Sequence, residues 1–291
     1  MADTDSNRTS ESDGLTTSTR RALLKATGTT IVGATGLAAT TGSASAQLLG
    51  PDIEVIDVGS SIFGSGAFQS LPVEDELFIF VHGWFGDTTV ESQAEDVAES
   101  MIDAGYEADT YVAIEWDATT INFAGATAET EDVGEELAEM LEGFYDYGGG
   151  NVRLIGHSLG GRVVLETINE IGPGYTVETV APIGAAADGD MVCSGGIGGG
   201  EWYDGIEDNA EEVRNYHSEN DTTVGSAYGG LFGAALGNDG AGCPFDTPDN
   251  YTDVDVTFSV LSHLGYLGDD EVGSDLAEAI EDQDSGLGWF S

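Results

Sequence analysis

The pentapeptide Gly156-His157-Ser158-Leu159-Gly160 has the G-x-S-x-G spacing of a serine nucleophile carried on a tight turn. What flanks it decides whether chemistry is possible there. Residues 151–155 read as a short buried strand, and residues 162–171 as a helix stopped by Gly172-Pro173. A turn squeezed between strand and helix holds the serine in strained backbone space with its hydroxyl exposed, and flanking glycines let neighbouring chains approach. Entry into a helix also aims N–H groups and a partial positive charge at a reacting carbonyl oxygen. In a chain with 43 glycines the pattern alone carries little weight, so the reading rests on the strand and helix around it.

A second piece lies upstream, where Val81-His82-Gly83-Trp84 closes the apolar run Glu-Leu-Phe-Ile-Phe-Val at Glu76–Val81. With these two motifs the sequence resembles the α/β-hydrolase superfamily, especially its secreted lipases and esterases. The resemblance spans about residues 53–283 and is strongest from Phe78 to Val164. It implies an oxyanion hole made by the backbone N–H groups of Trp84 and Leu159, and a triad in the chain order serine, acid, histidine. The four histidines then sort themselves. His82 and His157 belong to the two motifs, which leaves His217 and His263 as candidate bases. The superfamily's histidine follows the last strand, the position of His263 in Ser262-His263-Leu264-Gly265-Tyr266, whereas His217 reads as a strand residue. For the acid, Asp221 follows the penultimate strand. Asp188 and Asp190 are its rivals, because the animal-type lipases carry their acid after the preceding strand. The catalytic set expected from the resemblance is therefore Ser158, Asp221 and His263, acting on an ester-type small molecule or lipid with no metal and no organic cofactor.

The elements that must position these residues alternate. Strands are expected at 76–81, 110–114, 151–155, 175–182, 213–217 and 254–260, and helices at 90–102, 123–144, 162–171 and 272–280. That alternation argues for an α/β fold with a mostly parallel central sheet and helices on both faces. Two Gly- and Ala-rich stretches, 184–205 and 225–242, interrupt it and read equally as a lid over the site or as surface loops. Cys193 and Cys243 fall in or beside them, and a bridge between the two is permissible in an exported chain.

Charge sets the remaining bounds. Of 7 basic and 54 acidic residues, residues 1–46 hold four of each sign, so the whole formal charge of −47 falls on residues 47–291. Their only basic residues are Arg153, Arg162 and Arg214. Such a surface repels nucleic acid and anionic membranes. The acids are scattered among apolar runs instead of blocked into tails, which fits a folded protein suited to concentrated salt. Residues 1–46 carry Arg20-Arg21, a mildly apolar stretch and the small-x-small end Ala44-Ser45-Ala46, the parts of a secretory leader. The paired arginines make it resemble a twin-arginine signal, so the twin-arginine (Tat) export machinery is an expected partner and secretion the expected fate. Residues 47–291 are then a single catalytic domain. Asp246, Asp249, Asp253 and Asp255 do not have the spacing of an EF-hand loop, and the glycine run at 195–200 lacks the Lys-Ser/Thr of a phosphate loop. The competing readings are a catalytically silent surface-binding module of the same fold, and a hydrolase of amide or thioester bonds.

Overall fold

The computed structural model describes residues 50–58, 70–86, 88–118, 123–195, 200–228, 234–243 and 246–286. The leader expected at 1–46 and the C-terminal Trp289-Phe290 lie outside them.

Seven strands form one sheet: β1 (Ile53–Val58), β2 (Glu76–Val81), β3 (Thr110–Trp116), β4 (Asn151–His157), β5 (Val177–Ile183), β6 (Ala210–His217) and β7 (Tyr251–Asp255). Their spatial order is β1-β3-β2-β4-β5-β6-β7, and every neighbouring pair is parallel. Among the described residues the helices are α1 (Val90–Asp103), α2 (Phe123–Asp146), α3 (Leu159–Glu170), α4 (Tyr203–Asn209), α5 (Thr222–Ala227), α6 (Leu236–Asp239) and α7 (Asp270–Asp284), and a 3₁₀ turn spans His263–Tyr266. This is the α/β-hydrolase arrangement.

The apolar run of β2 explains why the sheet is covered on both faces. Leu77, Ile79 and Val81 pack into one core with residues of α2 and α3, while Phe78 and Phe80 pack into the other with residues of α1 and α7. Side chains alternate along a strand, so a run apolar at every position needs two layers of helices. Each such fully buried side chain is worth about 1.5–3 kcal/mol relative to exposure. Among the described residues, no helix is long and apolar enough to cross a membrane.

Three details depart from the expectation. The sheet gains β1, whose buried positions Ile53, Ile56 and Val58 are interrupted by acids that hid the pattern. The last strand is β7 at Tyr251–Asp255, not 254–260. The side chain of Asp255 accepts from the N–H of Thr257 at 2.9 Å, and the chain turns there through bonds from Ser259 and Val260 to the oxygen of Val256. The Gly/Ala-rich stretches also contain short helices, α4 and α6, and much of their described length is packed inward. Ala185, Ala187, Val192, Cys193, Ala235 and Leu236 are all fully buried. Cys193 and Cys243 form a disulfide with Cα atoms 5.4 Å apart, tying the two stretches together.

Each of the three arginines after residue 46 is committed to a buried or half-buried network. Arg153 pairs with Glu76 at 2.7 Å and Asp284 at 3.0 Å across the foot of the sheet. Arg162 pairs with Glu166 at 2.9 Å and lies over the ring of Trp202. Arg214 pairs with Glu212 and Asp275, each at 2.7 Å. The sequence supplies no other cation to residues 47–291, so their exposed charge is acidic.

Candidate active site

The turn after β4 is built by close approach. Ser158 has φ 60° and ψ −119°, left-handed backbone that a non-glycine residue adopts only under constraint. The constraint comes from three backbone hydrogen bonds: Ser158 N–H to Ile183 O at 3.1 Å, and Gly161 N–H and Ala186 N–H to Ser158 O, each at 3.0 Å. The flanking glycines are needed for space. A Cβ on Gly156 would collide with the carbonyl oxygen of Gly160, and one on Gly160 with that of Val81. The turn is thus wedged between the end of β2 and the start of α3, whose first residue, Leu159, is buried.

The upstream turn sits directly against it. A Cβ on Gly83 would lie 2.6 Å from the Cβ of Ser158 and 2.8 Å from the oxygen of His157. Trp84, the next residue, is therefore carried beside the serine. His82 braces this turn from beneath. Its Nδ1–H donates to Gly83 O at 2.7 Å, and its Nε2 accepts the N–H of Trp116 at 3.2 Å. The indole N–H of Trp116 returns to His82 O at 2.9 Å. Those bonds require the neutral Nδ1–H tautomer. Phe85 follows with φ 56° and a half-exposed ring stacked on Trp84 at 4.4 Å. Phe123 meets Trp84 edge-on, and Tyr228 meets Phe123 in the same way, so aromatic rings continue outward from this turn.

His263 begins the 3₁₀ turn after β7. Its Nε2 lies 2.9 Å from Ser158 Oγ, and its Nδ1 lies 2.7 Å from Asp221 Oδ2. A carboxylate oxygen accepts, so Nδ1 carries the hydrogen and Nε2 presents a lone pair to the serine hydroxyl. Asp221 is fully buried at the N-terminus of α5, where its other oxygen accepts the N–H of Val224 at 3.2 Å. Of the sequence-predicted residues, Ser158, Asp221 and His263 form one continuous hydrogen-bonded line; Leu159 follows the serine in the chain, and Gly83, which precedes Trp84, packs against it. Asp188 is exposed and its backbone bridges to Ala235. His217 ends β6 with its Nδ1 3.4 Å from Asn238 O.

Two neighbours went unread in the sequence. Asn238 donates to the backbone oxygens of Ser218 and Asp221, a role that nothing in the local pattern of α6 announces. His157 belongs to the serine motif, whose spacing announces no contact for its ring, yet that ring touches His263 with centroids 4.7 Å apart.

The Lipase family model matches residues 67–170, from just before β2 to the end of α3, a stretch that contains both turns. That match supports a hydrolase. No curated protein sequence matches the chain. Among solved structures the chain is similar to a lipase from Bacillus licheniformis (15% identity, TM-score 0.41, covering 75% of this chain and 96% of that one). It is also similar to a lipase-esterase related protein from Clostridium acetobutylicum (13%, 0.41, 72% and 96%). A third similar structure is the α/β-hydrolase domain-containing protein 10 from mouse (14%, 0.40, 75% and 92%).

Proposed function

We propose that this chain is an exported, salt-adapted serine hydrolase that cleaves carboxylic esters, an esterase or lipase working through an acyl-enzyme. The observation that carries the reading is the line Asp221 Oδ2 to His263 Nδ1 to Ser158 Oγ, with contacts of 2.7 and 2.9 Å. Its hydrogens run in the one direction that activates the serine.

In this reading Ser158 Oγ attacks the ester carbonyl carbon as its proton moves to His263 Nε2. Asp221 holds the Nδ1–H tautomer and stabilises the imidazolium that forms. The carbonyl oxygen, now an oxyanion, is held by the N–H groups of Trp84 and Leu159, each contributing roughly 3–4 kcal/mol if it behaves as a typical oxyanion donor. The carbon–oxygen bond to the alcohol breaks, and the alcohol leaves with the proton from His263. Water then attacks the acyl-enzyme with His263 again as base, releasing the acid and restoring Ser158. Residues 1–46 serve as a twin-arginine leader removed before Gln47, and the charge of −47 on the remainder suits molar salt. A lipid or a small ester is the substrate class.

A panel of p-nitrophenyl esters of increasing acyl length, paired with the matching anilides and thioesters and run in molar KCl, tests the bond type. Turnover of the esters well ahead of the anilides supports the reading. Hydrolysis of anilides alone, or of none of the panel, would overturn it.

A further inference from the structure

The acyl-transfer scheme leaves His157 without a task. It ends β4 one residue before Ser158, is buried, and has its Nε2 2.8 Å from the backbone oxygen of His263. A carbonyl oxygen only accepts, so His157 Nε2 carries the hydrogen and donates it. The ring also packs on the His263 imidazole, tilted 37° at 4.7 Å, with the ring of Tyr266 at 6.3 Å.

We propose that His157 is a positioning residue whose Nε2–H pins the backbone of the His263 turn and so sets the distance from His263 to Ser158. The inference rests on the reading of His263 as the base.

Within the turn, Gly265 N–H bonds Ser262 O at 2.8 Å, and the His263 ring itself meets Asp221 and Ser158. Leu261 and Leu264, on either side of His263, are 72% and 64% exposed. The firm anchors come earlier and later: Ser218 Oγ donates to Val260 O at 2.7 Å, and Tyr266 donates its hydroxyl to Gly237 O at 2.8 Å. Between them, His157 bonds the oxygen of His263 itself. Because His157 and Ser158 are consecutive, donor and nucleophile belong to one rigid unit. The contacts close a circuit from the Ser158 backbone through the His157 ring, the His263 carbonyl and the His263 ring back to Ser158 Oγ. A misplacement of about 1 Å in such a constellation can cost about 100-fold in rate.

The donor must also not titrate. Four titratable groups face or surround it: His263, Asp221, His82 and Tyr266. Burial, followed by the His263 imidazole, holds His157 down to about 3, against the opposing pulls of its bond to the His263 oxygen and then of the Asp221 carboxylate. It therefore stays neutral at any pH well above that value. An imidazolium formed on His263 meets an uncharged ring, not a second cation.

Two variants in molar KCl test this. His157→Leu removes the donor, while His157→Gln keeps an amide N–H of similar reach. His157→Leu should lose about 10- to 100-fold in kcat for a p-nitrophenyl ester with KM changed less than about twofold, and His157→Gln should recover most of that loss. If the leucine variant fails to fold, the glutamine variant and a measurement on the unaltered enzyme still decide. Nitrogen-15 NMR of the imidazoles should give His157 as the neutral Nε2–H tautomer from pH 5 to 9. Three results would overturn the proposal: kcat of His157→Leu within about twofold of the parent, a glutamine variant as impaired as the leucine one at equal melting temperature, or a His157 that titrates or carries its proton on Nδ1. Loss of covalent labelling by a fluorophosphonate in Ser158→Ala beside an unimpaired His157→Leu would sink this inference and leave the triad reading standing. Labelling that survived in Ser158→Ala would sink the triad reading instead, while the tautomer measurement still reports on His157.

Discussion

Asn238 donates one side-chain amide to the backbone oxygen of Asp221 at 3.2 Å and to that of Ser218 at 3.0 Å. It thereby links the loop that carries the candidate acid to α6, and α6 is itself held from the other side. The N–H groups of Leu236 and Gly237 bond the oxygens of Ala187 and Ala185, and the Cys193–Cys243 bridge closes the far end of the same two stretches. Truncating Asn238 to alanine should lower kcat about tenfold by loosening Asp221, with KM little changed. Steady-state kinetics on a soluble ester checks it, and an unchanged kcat would mean that the loop is held without this bond.

Reduction of the disulfide should act mainly on stability. The bridge joins residues 50 positions apart, and the chain-entropy account gives it roughly 4 kcal/mol at most. For a domain of this size that corresponds to a fall in melting temperature on the order of 10 °C on adding reductant. Thermal scans with and without dithiothreitol at constant molar salt decide it. No shift would mean that the buried Gly/Ala-rich packing holds the segment by itself.

The assignment of the acid has a direct test, because its rival is so differently placed. Asp221 is buried against His263, whereas Asp188 is exposed. Asp221→Asn should cost about 10⁴ in kcat by presenting the wrong hydrogen-bonding partner to Nδ1. Asp188→Asn should change kcat by less than about twofold, as surface substitutions away from a site generally do. An exchange of the two outcomes would move the acid to the segment that follows β5.

Where the sequence was legible, it was so for physical reasons. The β2 run and the turn at Ser158 were readable because uninterrupted apolar residues and obligatory glycines leave few alternatives. Asp221 and His263 could be ordered along the chain, but 42 residues separate them and only the folded sheet brings them to 2.7 Å. β1 is hidden because exposed Glu54, Val55 and Asp57 break the alternation of its buried positions, and β7 ends early because the Asp255 side chain bonds Thr257 in a way no periodicity reveals. The contacts of His157 and Asn238 run from side chain to distant backbone, a class of bond that leaves no spacing in the sequence.

The charge distribution predicts a steep dependence on salt. All three arginines after residue 46 are committed to internal pairs, so the acidic surface has no cation of its own to offset it. At about 0.01 M salt the screening length is about 30 Å, and like charges across the whole domain repel one another. At molar salt it is about 3 Å and that repulsion is largely removed. Since net stability is only about 5–15 kcal/mol, the repulsion at low salt need not be large per pair to unfold the chain. Circular dichroism and ester hydrolysis across a KCl series should lose fold and activity together as salt falls. An unchanged melting temperature in dilute buffer would show that the acidic surface serves another purpose.

Covalent labelling reads directly whether Ser158 is the nucleophile. Treatment with a fluorophosphonate in molar KCl, followed by peptide mapping in the mass spectrometer, should place a single adduct on Ser158. The Ser158→Ala variant, folded by circular dichroism, should take up none and should hydrolyse no ester. An adduct on any other residue, or labelling that persists in Ser158→Ala, would mean that the nucleophile lies elsewhere.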